Sequence, residues 1–221
     1  MSPRKRITKK EMKQDKLVTF VFRVNELFQK YTNQFLIGIG VVVVAGILVY
    51  FFINSKANQE REASVLFGQA DLQLRIGNTK QALSGLDMVT RRFPETKAGK
   101  RAIFLLGDAY FQSREFELAK TAFERYLSQG KESLLKASAQ AGIAQCYLET
   151  GDLLLAGDSF LKAASMATED FMKREYLFSA AWVFSKTERK EKAKEIYQQL
   201  VDKYPQSTQA QQARLSLAEI K

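Results

Sequence analysis

Ala82, Ala119, Ala156 and Ala193 stand 37 residues apart, and several other columns run in the same register. Four residues after each alanine comes a large apolar side chain: Leu86, Phe123, Phe160 and Tyr197. Nine residues before each stand Gln73, Tyr110, Tyr147 and Phe184, and twelve before stand the small residues Ala70, Gly107, Ala144 and Ala181. Phe93-Pro94 and Tyr204-Pro205 are three periods apart. A period of about 20–50 residues belongs to chains that stack one supersecondary unit on the next. A small residue followed three positions later by an aromatic lets two helices approach while a ring fills the space beside them. Gly77-Asn78 and Gly151-Asp152, five residues before the alanine column, are helix-stop signals. Each unit therefore reads as a helical hairpin and the fold as all-α. With 12 Gly and 3 Pro in 221 residues, a turn-rich all-β architecture is excluded.

The columns identify the hairpin. Leu106-Gly107-Asp108-Ala109-Tyr110 followed by Ala119 and Phe123, with Pro94 and Pro205 closing units, resembles the tetratricopeptide repeat family. The resemblance implies an α-solenoid of about four hairpins near residues 63–99, 100–136, 137–173 and 174–207, with 208–221 as a polar capping helix. The usual repeat is about 34 residues long, so three additional residues are expected in each second helix or its loop.

Residues 35–53, FLIGIGVVVVAGILVYFFI, contain no charge. As a helix they extend about 28 Å, close to the hydrocarbon thickness of a bilayer. The run is too long for one strand or for the apolar region of a cleaved signal, and no GxxxG lies within it. The charge is divided around it. Residues 1–34 carry nine Lys or Arg against three acidic residues, whereas residues 57–221 carry 24 against 21. The net charge of +10 is thus concentrated at one end, and nucleic-acid binding by the repeats loses its support. The positive-inside rule places residues 1–34 in the cytoplasm and the repeats on the far side, the periplasm of a bacterium with two membranes. The expected organisation is a basic arm (1–34), a signal anchor (35–53), a linker (54–62) and a repeat domain (63–221). Thr8-Lys9-Lys10-Glu11 has the form of a capping box, so a helix should start near Lys9. Its apolar stripe of Leu17, Phe20, Val21, Val24, Leu27, Phe28 and Tyr31 suits a surface of anionic headgroups.

The inventory is poor in catalytic groups. No His is present, and Cys146 is the single Cys, so His-centred triads, His-ligated metals and intrachain disulfides are excluded. Cys146 reads as a small buried hydrophobe. Asp71 and Asp108 occupy equivalent repeat positions and invite comparison with a carboxylate pair or a Ca²⁺ site; groove-lining charges are the expectation. Neither an enzyme nor a cofactor is expected.

In tetratricopeptide folds the first helix of each hairpin lines the concave surface, so the resemblance supplies candidate binding columns. Position five reads Phe67, Phe104, Ala141 and Phe178; position nine reads Asp71, Asp108, Gln145 and Trp182; position twelve reads Leu74, Phe111, Leu148 and Ser185. Apolar groups on a face in water mark a partner site, while the same rings could pack between neighbouring repeats. Trp182 is the strongest single candidate. No Asn lies on these helices, which disfavours the carboxylate clamp by which some such repeats hold chaperone tails. In length and order of parts the chain also resembles the bacterial ancillary Sec-translocon subunit family. That resemblance implies a non-enzymatic inner-membrane scaffold whose partners are proteins: exported clients, or a membrane complex such as the Sec translocon. The alternative is a structural subunit of a stable respiratory or envelope-spanning complex.

Overall fold

The structure, a computed structural model, describes residues 9–220. Those residues form nine α-helices and no strand: α1 (Lys9–Arg75), α2 (Thr79–Arg92), α3 (Lys97–Gln112), α4 (Phe116–Gln129), α5 (Ser133–Thr150), α6 (Leu153–Met166), α7 (Asp170–Ser185), α8 (Lys190–Lys203) and α9 (Thr208–Glu219). The chain divides into two compact units, Met1–Lys56 and Ala57–Lys221.

In the second unit the end of α1 packs on α2 through Ala70, Leu74, Ala82 and Leu86, and α3/α4, α5/α6 and α7/α8 form three further hairpins. The lone helix α9 closes the stack against α8 and α7. This is the tetratricopeptide-like solenoid. The extra residues of the long repeat lie elsewhere than expected. Each second helix has 14 residues, while α3, α5 and α7 have 16, 18 and 16. These first helices begin at Lys97, Ser133 and Asp170, three or four residues ahead of the expected starts, so the additions lengthen them at their N-termini.

Inside three hairpins the turn is the same. Gly77, Arg114 and Gly151, 37 residues apart, all have positive φ (83°, 62° and 87°). The residue after each donates its N–H five residues back: Asn78 to Gln73 O at 2.8 Å, Glu115 to Tyr110 O at 2.9 Å, and Asp152 to Tyr147 O at 2.8 Å. This double closure of the last carbonyls needs a left-handed residue. Glycine adopts that conformation freely, whereas Arg114 does so at a cost of about 1–2 kcal/mol. The fourth hairpin has Glu188 at this position and closes differently, with Thr187 N–H donating to Phe184 O at 3.0 Å.

Between hairpins the Phe-Pro and Tyr-Pro pairs end one helix, and the hydroxyl two residues after each Pro starts the next. Thr96 Oγ1 accepts from Gly99 N at 2.9 Å and donates to Phe93 O at 2.8 Å. Ser207 Oγ accepts from Ala210 N at 3.1 Å. At α3 the cap is completed from α1: the Glu60 carboxylate accepts from Lys97 N at 2.8 Å and Ala98 N at 3.0 Å. Glu60 and Thr96 together satisfy the first three N–H groups of α3, which have no partner within the helix. A carboxylate there also opposes the positive end of the helix dipole.

The alanine column is the helix–helix contact itself. Ala82, Ala119, Ala156 and Ala193 are completely buried. The ring beside the small residue is contributed by another helix and not by the aromatic three positions on. Phe123 of α4 lies between Gly107 of α3 and Gly142 of α5, and a Cβ added at either glycine would stand 2.5 Å from its ring. Phe184 of α7 lies likewise on Gly157 of α6, 2.6 Å from where its Cβ would be. Glycine at these points lets the backbone approach an aromatic face that any side chain would push away.

In the first unit the apolar run is entirely helical. Pro3 and Pro94 are consecutive prolines in the sequence and no glycine lies between Gly46 and Gly68, so nothing interrupts α1 and residues 54–62 are helix as well. Among the described residues this is the one helix long and apolar enough to cross a membrane by length and composition. Its large side chains are open, including Ile37, Val42, Leu48 and Phe52. Thr8, the expected helix cap, lies outside the described residues, as does any description of the Leu17, Leu27 and Phe28 side chains.

Candidate functional site

The nine residues expected on the groove separate into two groups. Three of them, Leu148, Phe178 and Trp182, line one cleft of about 350 Å³ between α5 and α7. Gln145 is beside Leu148 on α5, and Glu175, Ser179 and Val183 join from α7, with Phe160 behind them on α6. Residues 175, 178, 179 and 182 are spaced as one helical face, and that spacing was the available signal for Glu175 and Ser179. Phe178 packs on Tyr197 with its ring tilted, centroids 5.7 Å apart. Trp182 is 43% exposed. It also borders a second cleft of about 360 Å³ that includes Ser185, Lys190 and Glu219, and Lys186 Nζ stands 5.9 Å from its ring. An indole so placed offers a large apolar face that water covers poorly, the property of an interface anchor.

The others contribute chiefly to structure. Leu74, expected on the groove, is buried in the core with Ala82 and Leu86, because the end of α1 turns it toward α2. Phe104 is half-buried against Phe123 and Tyr126, at centroid distances of 5.7 and 5.6 Å. Phe111 packs on Phe116 at 5.5 Å, and Phe67 is half-buried against Phe93 and Ala98. Ala141 is buried. Asp71 pairs with Arg75 at 2.9 Å, one turn along its own helix, an exposed pair of small worth.

Asp108 differs from Asp71. It is half-buried on α3, and burial pushes its carboxyl up to about 6. In the folded chain it therefore keeps a proton between about pH 4 and 6 that the unfolded chain has lost. Unfolding free energy is expected to fall across that window as pH rises, by on the order of 2 kcal/mol. Asp108→Asn should abolish this slope and raise stability at pH 7, as read by urea melts at both ends of the window. Glu132, held below its usual range by its hydrogen bond to Arg101, acts with the opposite sign and at lower pH. Cys146 is buried and burial raises its thiol to about 11, which keeps it an unreactive core group. Among the described residues no three His, Cys, Asp or Glu side chains gather as a metal site.

These features are open clefts on a helical repeat scaffold, and comparison with known proteins gives the class. A family model described as a tetratricopeptide repeat-like domain matches residues 25–167, and a tetratricopeptide repeat model matches residues 175–207. The chain belongs to the tetratricopeptide repeat-like domain family. Its matched region begins ahead of the apolar run and so includes it together with three hairpins. Among solved structures, the chain is similar to a tetratricopeptide repeat protein from Parabacteroides merdae (14% identity, TM-score 0.61, covering 72% of this chain and 60% of that one). It is also similar to pilF of Pseudomonas aeruginosa (18% identity, TM-score 0.51, covering 70% and 66%). The chain thus spans less than two thirds of either structure, and the likeness is one of fold. A search of curated proteins found no match.

Proposed function

We propose that this protein is a non-enzymatic, membrane-anchored scaffold that holds protein partners in the groove of its repeats on the periplasmic side of a bacterial inner membrane. The observation that carries the binding role is the cleft beneath Trp182: an exposed indole next to Phe178 and Leu148, on first helices of a fold that serves protein–protein binding. Anchoring is supported by the open apolar helix, and the orientation by the basic residues ahead of it. A domain tethered beside the membrane and exposing an apolar groove meets exported chains as they emerge. Handling or assembly of such proteins near the translocon is the role this arrangement suits.

The topology is tested by protease added to membrane vesicles of known sidedness. Residues 57–221 should be digested only when the periplasmic face is outward. Digestion from the cytoplasmic face, or a mature protein that begins near Asn58, would contradict the reading. Mild-detergent purification then distinguishes the scaffold, which carries varied clients, from a structural subunit, which carries one fixed stoichiometric set.

A further inference from the structure

The first hairpin has an open side that no later hairpin has. Two columns of the repeat describe it. Val65, Ala102, Ala139, Tyr176 and Ala213 form one, and Leu72, Ala109, Cys146, Val183 and Ile220 the other. From α3 onward both columns pack into the core, fully buried except at Tyr176 and Ile220, which are half-buried. Ala102 and Ala109 share a core with Ala82, Leu86 and Val89 of α2; Ala139 and Cys146 share one with Ala119, Phe123 and Tyr126 of α4; Val183 shares one with Ala156 and Phe160 of α6. All of these are at most 5% exposed. In the first hairpin Val65 is 61% exposed and Leu72 55%.

The cover is missing while the seat is formed. A cleft of about 320 Å³ runs between α1 and α2, lined by Leu66, Ala70, Gln73, Gln81, Gly85 and Met88 among others, none of them charged. Its floor is the close crossing of Ala70 and Gly85, where an added Cβ would stand 3.0 Å from the Ala70 Cβ. Ile76 and Met88, 59% and 50% exposed, extend the apolar margin. A solenoid end that meets only water carries a polar face. The opposite end does so: α9 exposes Gln211, Gln212 and Arg214, with Leu215 as its one exposed large apolar residue.

We propose that this end of the stack is a docking seat for an amphipathic helix from another protein, built like this chain's own second helices. The occupant follows from continuity with an interface that the fold already makes four times, α2 on α3, α4 on α5, α6 on α7 and α8 on α9. The helices in those places share a pattern: a small residue, a large apolar one four positions on, and an apolar one three further, as in Ala82-Leu86-Val89 and Ala193-Tyr197-Leu200. The uncharged seat requires the same apolar face. Gln69, Gln73 and Gln81, where the next repeat has Leu106, Tyr110 and Leu118, keep the seat wettable when empty and make the docking reversible.

The test uses the full chain in detergent and, as probe, a fluorescent peptide of residues 79–92 held helical by a staple across its solvent face. Saturable binding is expected. Val65→Lys and Leu72→Lys should each weaken it at least tenfold with unchanged melting, since both side chains are open in the folded protein. Trp182→Ala should leave it intact, which separates this seat from the groove, and a peptide with Leu86→Glu should not bind. Absence of saturable binding, or binding that survives both lysine variants, would overturn the proposal. So would a dimer of this chain that light scattering shows to dissociate on Leu72→Lys, because the occupant would then be a second copy.

Discussion

Phe123→Ala is expected to lower the unfolding free energy by about 3–5 kcal/mol. The ring is 2% exposed and is held between two glycines on different helices, Gly107 and Gly142, so its removal opens a cavity shared by the second and third hairpins. Helices that approach this closely cannot collapse into the space, because Phe104 and Tyr126 already prop the same layer. In a stack of nearest-neighbour contacts, such a loss at the centre uncouples the two sides. Thermal unfolding should therefore broaden or split as well as shift. A single sharp transition close to the parent's would place Phe123 outside the central contact.

Gly99→Ala should cost about 3 kcal/mol, near the upper end of what overpacking costs. Gly99 is buried in the first turn of α3, and a Cβ there would collide with the carbonyl oxygen of Phe93 and stand 2.9 Å from Thr96 Oγ1. To relieve the collision α3 must move away from the Phe93-Pro94 turn. Movement breaks the Thr96 bond to Gly99 N and displaces Lys97 N and Ala98 N from Glu60. The same substitution at Gly68, where nothing lies within 4 Å, should be neutral or slightly stabilising because alanine is the better helix former. Urea melts of the two variants side by side give the comparison.

The repeat was legible because period and chemistry act together. An alanine every 37 residues, with a large apolar side chain four positions on, has no use outside a helical stack, and all four alanines are at the contact. The turn glycines Gly77 and Gly151 were legible for the same reason, whereas Arg114 hides the third such turn behind an ordinary side chain. What the sequence concealed depends on contacts between elements. Glu60 caps a helix that starts 37 residues later, and nothing local to Glu60 marks it. The hairpin boundaries moved by three or four residues because the added turns extend helices without changing their apolar spacing. Leu74 and Trp182 were both groove candidates, each a large apolar residue on a first helix, with Trp182 the stronger of the two. One is buried and the other is open, because the hairpin turn rolls the end of α1 inward while α7 presents position nine outward.

We propose that the open indole at Trp182 binds protein partners and does not hold the fold together. Trp182→Ala and the parent chain should be purified from membranes in mild detergent, with melting temperature and co-purified partners recorded for each. An anchor of this kind is worth about 2 kcal/mol or more, roughly thirtyfold in affinity. Melting within about a degree of the parent is expected, together with loss of most of the partners. A melting loss like that of Phe123→Ala, or an unchanged set of partners, would contradict it.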